Sequence, residues 1–271
     1  MSWFMDLTLS RRLERTEGSV GSTFMPVRQQ LAPEVGATWR DFDGTYAIFD
    51  GADSPMTQSF GLGLFAPTTP ESLSRIEAFF VERGAPVMHE VSPLAGVGTL
   101  ALLAERGYRP FELTTVLVQD IGGPVAAPAA PTLRVRMSEP ADRDAWIDAS
   151  VTGWSEDPIF SHITRSIAEA SSANRAMLHF LVERNRAPIA TASLGIHDGV
   201  ALLAGASTIP SARGLGAQAL LLAARLTEAR LRGCEIAMML TAPGSTSQRN
   251  AERRGFRVAY TRTKWRLPHR A

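Results

Sequence analysis

The chain has 271 residues, of which 45% are hydrophobic and 20% charged, and its formal net charge is +1. That size and composition suit one large or two ordinary globular domains, and the charge balance excludes a general nucleic-acid-binding or anionic-membrane surface. Cys234 is the single cysteine, so intrachain disulfides and thiolate zinc sites are excluded. No apolar run approaches the ~20 residues needed to span a bilayer. Met1 to Arg15 is too mixed to hold the apolar core of a signal peptide. A cytoplasmic protein is expected.

In chain order, Trp3, Phe4, Trp39 and Phe42 are expected in the core. "FGLGLF" (Phe60–Phe65) leads through Pro67 to a helical stretch, "ESLSRIEAFFVERG" (Glu71–Gly84). "APVMHEVSP" (Ala85–Pro93) reads as a strand, "TLALLAERG" (Thr99–Gly107) as a helix and "YRPFELTTVLVQ" (Tyr108–Gln119) as a strand. "GGPVAAPAAP" (Gly122–Pro131) has neither charge nor periodicity and reads as a linker. The expected domains are therefore 1–122 and 132–271, joined by 123–131.

The second half opens with an alternating strand, "TLRVRM" (Thr132–Met137). Glu139–Trp154 and Phe160–Ser172 read as helices. Ala176–Asn185, Ala187–Ile196 and Val200–Ile209 read as strands, with hairpin turns at Asn185-Arg186 and His197-Asp198-Gly199. A helix then follows Gly214 and Gly216. Its apolar stripe is Leu215, Ala219, Leu222, Leu226 and Ala229, and Gly233 stops it. Cys234–Ala242 is apolar throughout, as a strand buried on both faces would be. Ser245–Gly255 is a short polar helix and Phe256–Leu267 a closing strand. "RGYRPFELTTVLV" and "RGFRVAYTRTKWRL" enter their strands alike, and two helix-ending glycines recur at nearly one offset, which suggests a duplicated domain.

The glycines beside Arg213 carry the chemistry. The first amides of a helix lack internal partners and sit at the positive end of its dipole. Glycine lets an anion approach them closely, and arginine adds a two-pronged cation. No Walker lysine is present. Gly214 to Ala219 also fits the dinucleotide pattern G-x-G-x-x-A. Those glycines, however, follow antiparallel strands and a proline, where that fold needs the first strand of a parallel sheet.

"STIPSARGLGAQALLLAARLTEARLRGCEIAMMLTAP" followed by "SQRNAERRGFRVAYTR" resembles the acetyl-CoA-binding core of the GNAT N-acetyltransferases. Arg213 and Gly216 match the first and fourth positions of that family's phosphate motif, R/Q-x-x-G-x-G/A, while Gln218 stands where Gly or Ala is usual. The resemblance covers nearly all of Pro131–Leu267, and the N-terminal half looks like a degenerate copy. It implies an α/β fold of two GNAT-like domains, each a mixed, mostly antiparallel sheet flanked by helices. It also implies an acyl-CoA-dependent N-acyltransferase. Acetyl-CoA would be the cosubstrate, and an amine on a small molecule or a protein would attack it directly. A homodimer and a monomer both stay open.

On this resemblance the diphosphate sits on Arg213, Gly214, Leu215, Gly216, Ala217, Gln218 and Ala219. The thioester arm lies along Ala206, Ser207, Thr208 and Ile209, and Asn250 is a further cofactor contact. Many of these enzymes place a tyrosine acid five residues before the closing Gly-Phe, but this chain has Ala251 there. Tyr260, on one strand face with Arg262 and Lys264, is the candidate acid or substrate contact, against a plain packing role. In "GWSEDPIFSH" (Gly153–His162), Glu156 or Asp157 is the candidate partner for a cationic amine, against a solvated loop carboxylate. The five histidines, His89, His162, His179, His197 and His269, form no H-x-x-x-H pair, so no metal is expected. A non-catalytic acyl-CoA-binding protein and a scaffold are the alternatives.

Overall fold

The computed structural model describes residues 5–123, 125, 128, 130–156 and 163–268. Trp3, Phe4, Asp157, His162 and His269 lie outside the described residues. The chain divides into two compact units. One holds residues up to Gln119 together with those from Met238 onward, and the other holds Asp120–Ala237.

In the first unit, the Asp6 carboxylate accepts from the Leu9 amide and starts α1 (Leu7–Ser22), and α2 (Phe24–Leu31) follows. β1 (Thr38–Phe42) and β2 (Thr45–Phe49) form a hairpin around Asp43 and Gly44, both at positive φ. α1 lies directly on β2: a Cβ on Gly18 would stand 2.6 Å from Tyr46 Cγ, and one on Gly21 2.7 Å from Ile48 Cδ1. β3 (Gln58–Phe60) pairs antiparallel with β2 and parallel with β4 (Val87–Val91). Between those strands runs α3 (Pro70–Val81), and α4 (Val97–Glu105) then leads to β5 (Arg109–Asp120). The core gathers Leu73, Ile76, Phe79 and Phe80 of α3 and Leu103 of α4 against Ala47, Phe49, Val87 and Val91. Phe42 joins this core, but Trp39 is 40% exposed and stacks on Tyr46. The expectation of a core Trp39 is corrected accordingly.

The second unit contains β6 (Arg134–Met137), α5 (Arg143–Trp154), α6 (Thr164–Ala173), β7 (Met177–Arg184), β8 (Ala187–His197), β9 (Val200–Thr208) and α7 (Ala217–Leu231). Its strands run antiparallel in the order β6-β7-β8-β9. Ser207 lies beneath Gly153 of α5, while its neighbour Thr208 bonds Gln218 of α7. Successive strand residues point to opposite faces, so α5 and α7 cover opposite faces of this sheet. Trp146 and Ile147 of α5 pack with Ala168 of α6 and Leu181 of β7.

β10 (Ile236–Thr241), α8 (Thr246–Glu252) and β11 (Arg257–Leu267) complete the chain. Two helices, three strands, a helix, a strand, a helix and a strand occur twice in that order, from α1 to β5 and from α5 to β11. The first unit is assembled from two chain segments, one ending at Gln119 and one beginning at Met238. β11 pairs antiparallel with β4 and with β5, in the first unit. Its alternation was legible. Which strands it joins depends on partners far away in sequence.

β11 carries a buried charged cluster into that unit. Arg262 is fully buried. Its Nη1 lies 3.2 Å from Glu14 Oε2 and 2.5 Å from Glu17 Oε2, and its Nη2 lies 2.7 Å from Glu90 Oε2. Lys264 bridges Glu90 and Glu112. Burial works against the charge on Arg262, but the three carboxylates outweigh it and raise its pKa. Burial raises Glu14 and pushes Glu17 up to about 7.

Candidate active site

Two of the segments expected to bind the cofactor, 206–209 and 213–219, lie in the second unit. β9 ends at Thr208, Ile209 donates to the Ile189 carbonyl, and a single helical turn over Pro210–Ala212 delivers Arg213. Gly216, at φ 89°, is the N-cap of α7. A side-chain-bearing residue adopts that conformation only with strain. Among the described residues, a Cβ on Gly214 would meet nothing within 4 Å, and one on Gly216 would meet only Ala130, at 4.0 Å.

Among the described residues no side chain caps the mouth of α7, and its first turn has no acidic residue. The amides of Leu215, Gly216, Ala217 and Gln218 donate to no acceptor among the described residues, whereas those of Ala219 and Leu220 return to the Gly216 carbonyl. The Gln218 side chain reaches back, donating from Nε2 to Thr208 Oγ1 at 2.8 Å, so its side-chain amide braces β9 and only its backbone amide faces the mouth. Arg213 stands beside the mouth, half exposed, with its Nη1 2.5 Å from Glu156 Oε2.

The apolar stripe expected on the helix is rotated. Leu215 precedes the helix and is 41% exposed. The buried face is Ala217, Leu220, Leu221, Arg225, Leu226 and Ala229. Arg225 is the residue that the apolar pattern missed. Its Nε donates to the Leu221 carbonyl and its Nη1 to those of Ser193 and Ala204, and among the described residues no carboxylate faces it. Burial lowers its pKa to about 10.

Those two carbonyls flank a break in the sheet. Thr191 pairs with Ser207 and Ser193 with Ala204, so Gly205 and Ala206 stand opposite Ala192 alone. This is a β-bulge, with Gly205 at φ 59° and exposed in mid-strand. Ser207 is buried with its Oγ 3.2 Å from Thr191 Oγ1.

Tyr260 and Asn250 both belong to the first unit. Tyr260 is buried and its hydroxyl donates to Glu14 Oε1 at 2.7 Å. Burial raises its pKa well above normal, and the Glu14 charge adds to the shift. The expected acid is therefore committed to a structural carboxylate. The shared face expected for Tyr260, Arg262 and Lys264 is observed: the first two both contact Glu14, and the last two both contact Glu90. Asn250 is an exposed residue of α8. Among the described residues no group of three or more His, Cys, Asp or Glu could hold a metal, and no helix is long and apolar enough to cross a membrane.

No family model matches the sequence and no curated protein does. Solved structures do. A GCN5-related N-acetyltransferase from Kribbella flavida superposes with a TM-score of 0.66 at 18% identity, over 92% of this chain and 96% of that one. The fold is GNAT-like. An acetyltransferase structure of the GNAT family from Novosphingobium aromaticivorans matches with a TM-score of 0.57 at 16% identity, over 96% of this chain and 99% of its own. A tandem GNAT protein from the clavulanic acid biosynthesis pathway, solved without acetyl-CoA, matches with a TM-score of 0.58 at 13% identity, over 83% and 79%. The GNAT-like fold thus extends over nearly the whole chain.

Proposed function

We propose that this chain is an acyl-CoA-dependent N-acyltransferase that moves acetyl from acetyl-CoA to an amine. The observation that carries the proposal is the uncapped mouth of α7. Four backbone N–H groups without partners among the described residues, a helix dipole and Arg213 converge on one point. A diphosphate is the kind of anion such a point holds. Leu215 to Gln218 would bind the diphosphate through their amides, with Arg213 adding its charge. The exposed bulge at Gly205 and Ala206 would border the thioester. Acetyl-CoA supplies an acyl group activated by a thiolate leaving group, and at neutral pH that thiolate departs without obligatory help from an acid.

The corresponding helix of the first unit supports a division of labour. Thr69 Oγ1 accepts from the Ser72 amide, Ser72 Oγ accepts from the Thr69 amide, and Pro70 removes one donor altogether. Glu71 adds an acid in the first turn. This mouth is already closed, so the N-terminal half is proposed to be a degenerate copy that binds no CoA.

The test is calorimetry with acetyl-CoA, followed by mass spectrometry of spermidine, kanamycin and a peptide with a free α-amine after incubation with acetyl-CoA. Binding at one site and acetylation of at least one amine are expected. Absence of binding would refute the proposal. Binding without product on any amine would favour a non-catalytic acyl-CoA-binding protein, which the committed hydroxyl of Tyr260 and the alanine at position 251 also favour.

Glu156 acquires a role under this proposal. Its carboxylate holds the cation that the diphosphate needs. An exposed pair of this kind is worth about 0.2–1 kcal/mol. Glu156→Gln is therefore expected to tighten acetyl-CoA binding by at most roughly five-fold, read by calorimetry. Weaker binding would instead make Glu156 part of the cofactor site.

A further inference from the structure

We propose that Ser193 and His179 form a proton relay that opens at the Gly205 bulge and takes the proton from the attacking nitrogen of the acceptor. The inference rests on the acyl-transfer proposal and concerns residues of the second unit alone. The bulge leaves Gly205 exposed in the middle of β9, and a Cβ placed there would stand 3.7 Å from Ser193 Oγ. An atom arriving at the bulge from solvent thus comes within reach of Ser193, directly or through one water.

Behind the serine lies His179, with its Nδ1 3.0 Å from Ser193 Oγ. The tautomer with hydrogen on Nε2 leaves Nδ1 to accept from the hydroxyl. Trp146 packs edge-on against the ring, with centroids 5.1 Å apart. Ser171 Oγ lies 3.4 Å from Ser193 Oγ and can serve as a second acceptor for its proton. Among the described residues, the groups facing the histidine are Trp146 of α5, Ser171 of α6, Asn174 just after it and Ser193 of β8, none of them charged. Burial lowers the pKa of His179, so the ring is neutral and ready to accept at neutral pH. Nε2 is buried outside hydrogen-bond geometry with any partner among the described residues, yet the nearby carbonyls of Asn174 and Ser171 favour the charged ring. A ring that takes a proton is therefore not stranded.

Arg225 completes the arrangement from the opposite face of the sheet. Its Nη1 holds the carbonyls of Ser193 and Ala204, the residues that set the bulge and the serine. The protonated amine first gives one proton to Ser193 Oγ while the serine proton passes to His179 Nδ1, which frees the nitrogen lone pair; the C–N bond then forms as the C–S bond breaks, and the departing thiolate takes the second N–H proton. The ring then returns its proton to solvent, so amide and CoA are the only products.

A relay and a packing role predict different pH profiles. With a lysine-like amine of pKa ~10.4 and saturating acetyl-CoA, wild-type kcat/KM should be flat from about pH 7 up towards that pKa, because the relay removes the proton. His179→Asn keeps an oxygen that can accept from Ser193 but cannot take its proton. It should lose roughly 10³-fold near pH 7 and recover by about a decade per pH unit, as solution supplies the neutral amine. Ser193→Ala should show the same slope. A ligand-free readout is isotope-labelled histidine NMR, in which the Nδ1 signal of His179 should shift when Ser193 becomes alanine.

A uniform loss at every pH, or a wild-type profile that already has the slope, would overturn the relay. So would binding of acetyl-CoA without acetylation of any panel amine, which leaves the cofactor site standing. Failure to bind acetyl-CoA at all would remove the underlying proposal instead.

Discussion

Gly216→Asp should abolish acetyl-CoA binding while leaving the second unit folded. Three effects act at the same point. The carboxylate would stand among the amides of Leu215 to Gln218, occupying the positive end of α7 with covalently attached charge. A carboxylate at an N-cap also accepts from the second or third amide of the helix, so the mouth would close on itself as the Thr69 mouth does. An incoming diphosphate would then have to displace a like charge. Against this, φ 89° costs a non-glycine residue about 1–2 kcal/mol, while a new N-cap returns about 1 kcal/mol. Stability should therefore change little. Losing even two charge-assisted hydrogen bonds, at about 1.5–3 kcal/mol each, predicts a fall in affinity of more than roughly 100-fold. Gly216→Ala carries the backbone strain without the charge and should lose much less. Equal losses in the two variants would mean that backbone conformation, and not the open donors, determines binding.

The second unit was largely legible, for local reasons. Its strands alternate, Asn185-Arg186 and Asp198-Gly199 make tight turns at positive φ, and the glycines before α7 mark a helix start. What stayed hidden was non-local. Nothing in "FRVAYTRTKWRL" says that Arg262 will be met by Glu14 and Glu17, nearly the whole chain away. Arg225 was not singled out because an apolar-stripe rule passes over arginine, yet a bulge offers buried carbonyls that a long donor can reach. α1 was not read as a helix because Gly18, Gly21 and its charged residues resemble loop composition. Those glycines in fact let the helix touch Tyr46 and Ile48, and the buried charge of Glu14 serves β11. The relay escaped for a similar reason. His179 and Ser193 lie on neighbouring strands, and only the cross-strand register brings them together.

Arg262→Met should be the most destabilising single change in the first unit. Methionine fills much of the space but leaves Glu14, Glu17 and Glu90 buried, with Lys264, which bridges Glu90 and Glu112, as the remaining cation of the cluster. Removing one partner of a buried ion pair costs about 3–5 kcal/mol, because the opposite charge stays behind unpaired. The loss should be read as a lower urea midpoint, and its pH dependence identifies the cause. In the wild type, Glu17 has a pKa of about 7 in the folded state, above the 4.5 of an ordinary glutamate. A raised pKa means that the folded state holds the proton more tightly. Its contribution to stability is therefore complete below about pH 4.5 and is lost as pH rises through about 7. Glu17→Gln should remove that decline. In Arg262→Met the attraction that holds Glu14 and Glu17 down is gone, so both carboxyls shift further up and the cluster can be relieved only by protonation. The destabilisation should accordingly be larger at about pH 7.5 than at about pH 5. A deficit of equal size at both values would show that the loss comes from packing and not from unpaired charge. In that case adding Glu14→Gln to the variant should recover nothing, whereas the electrostatic account requires it to restore part of the lost stability.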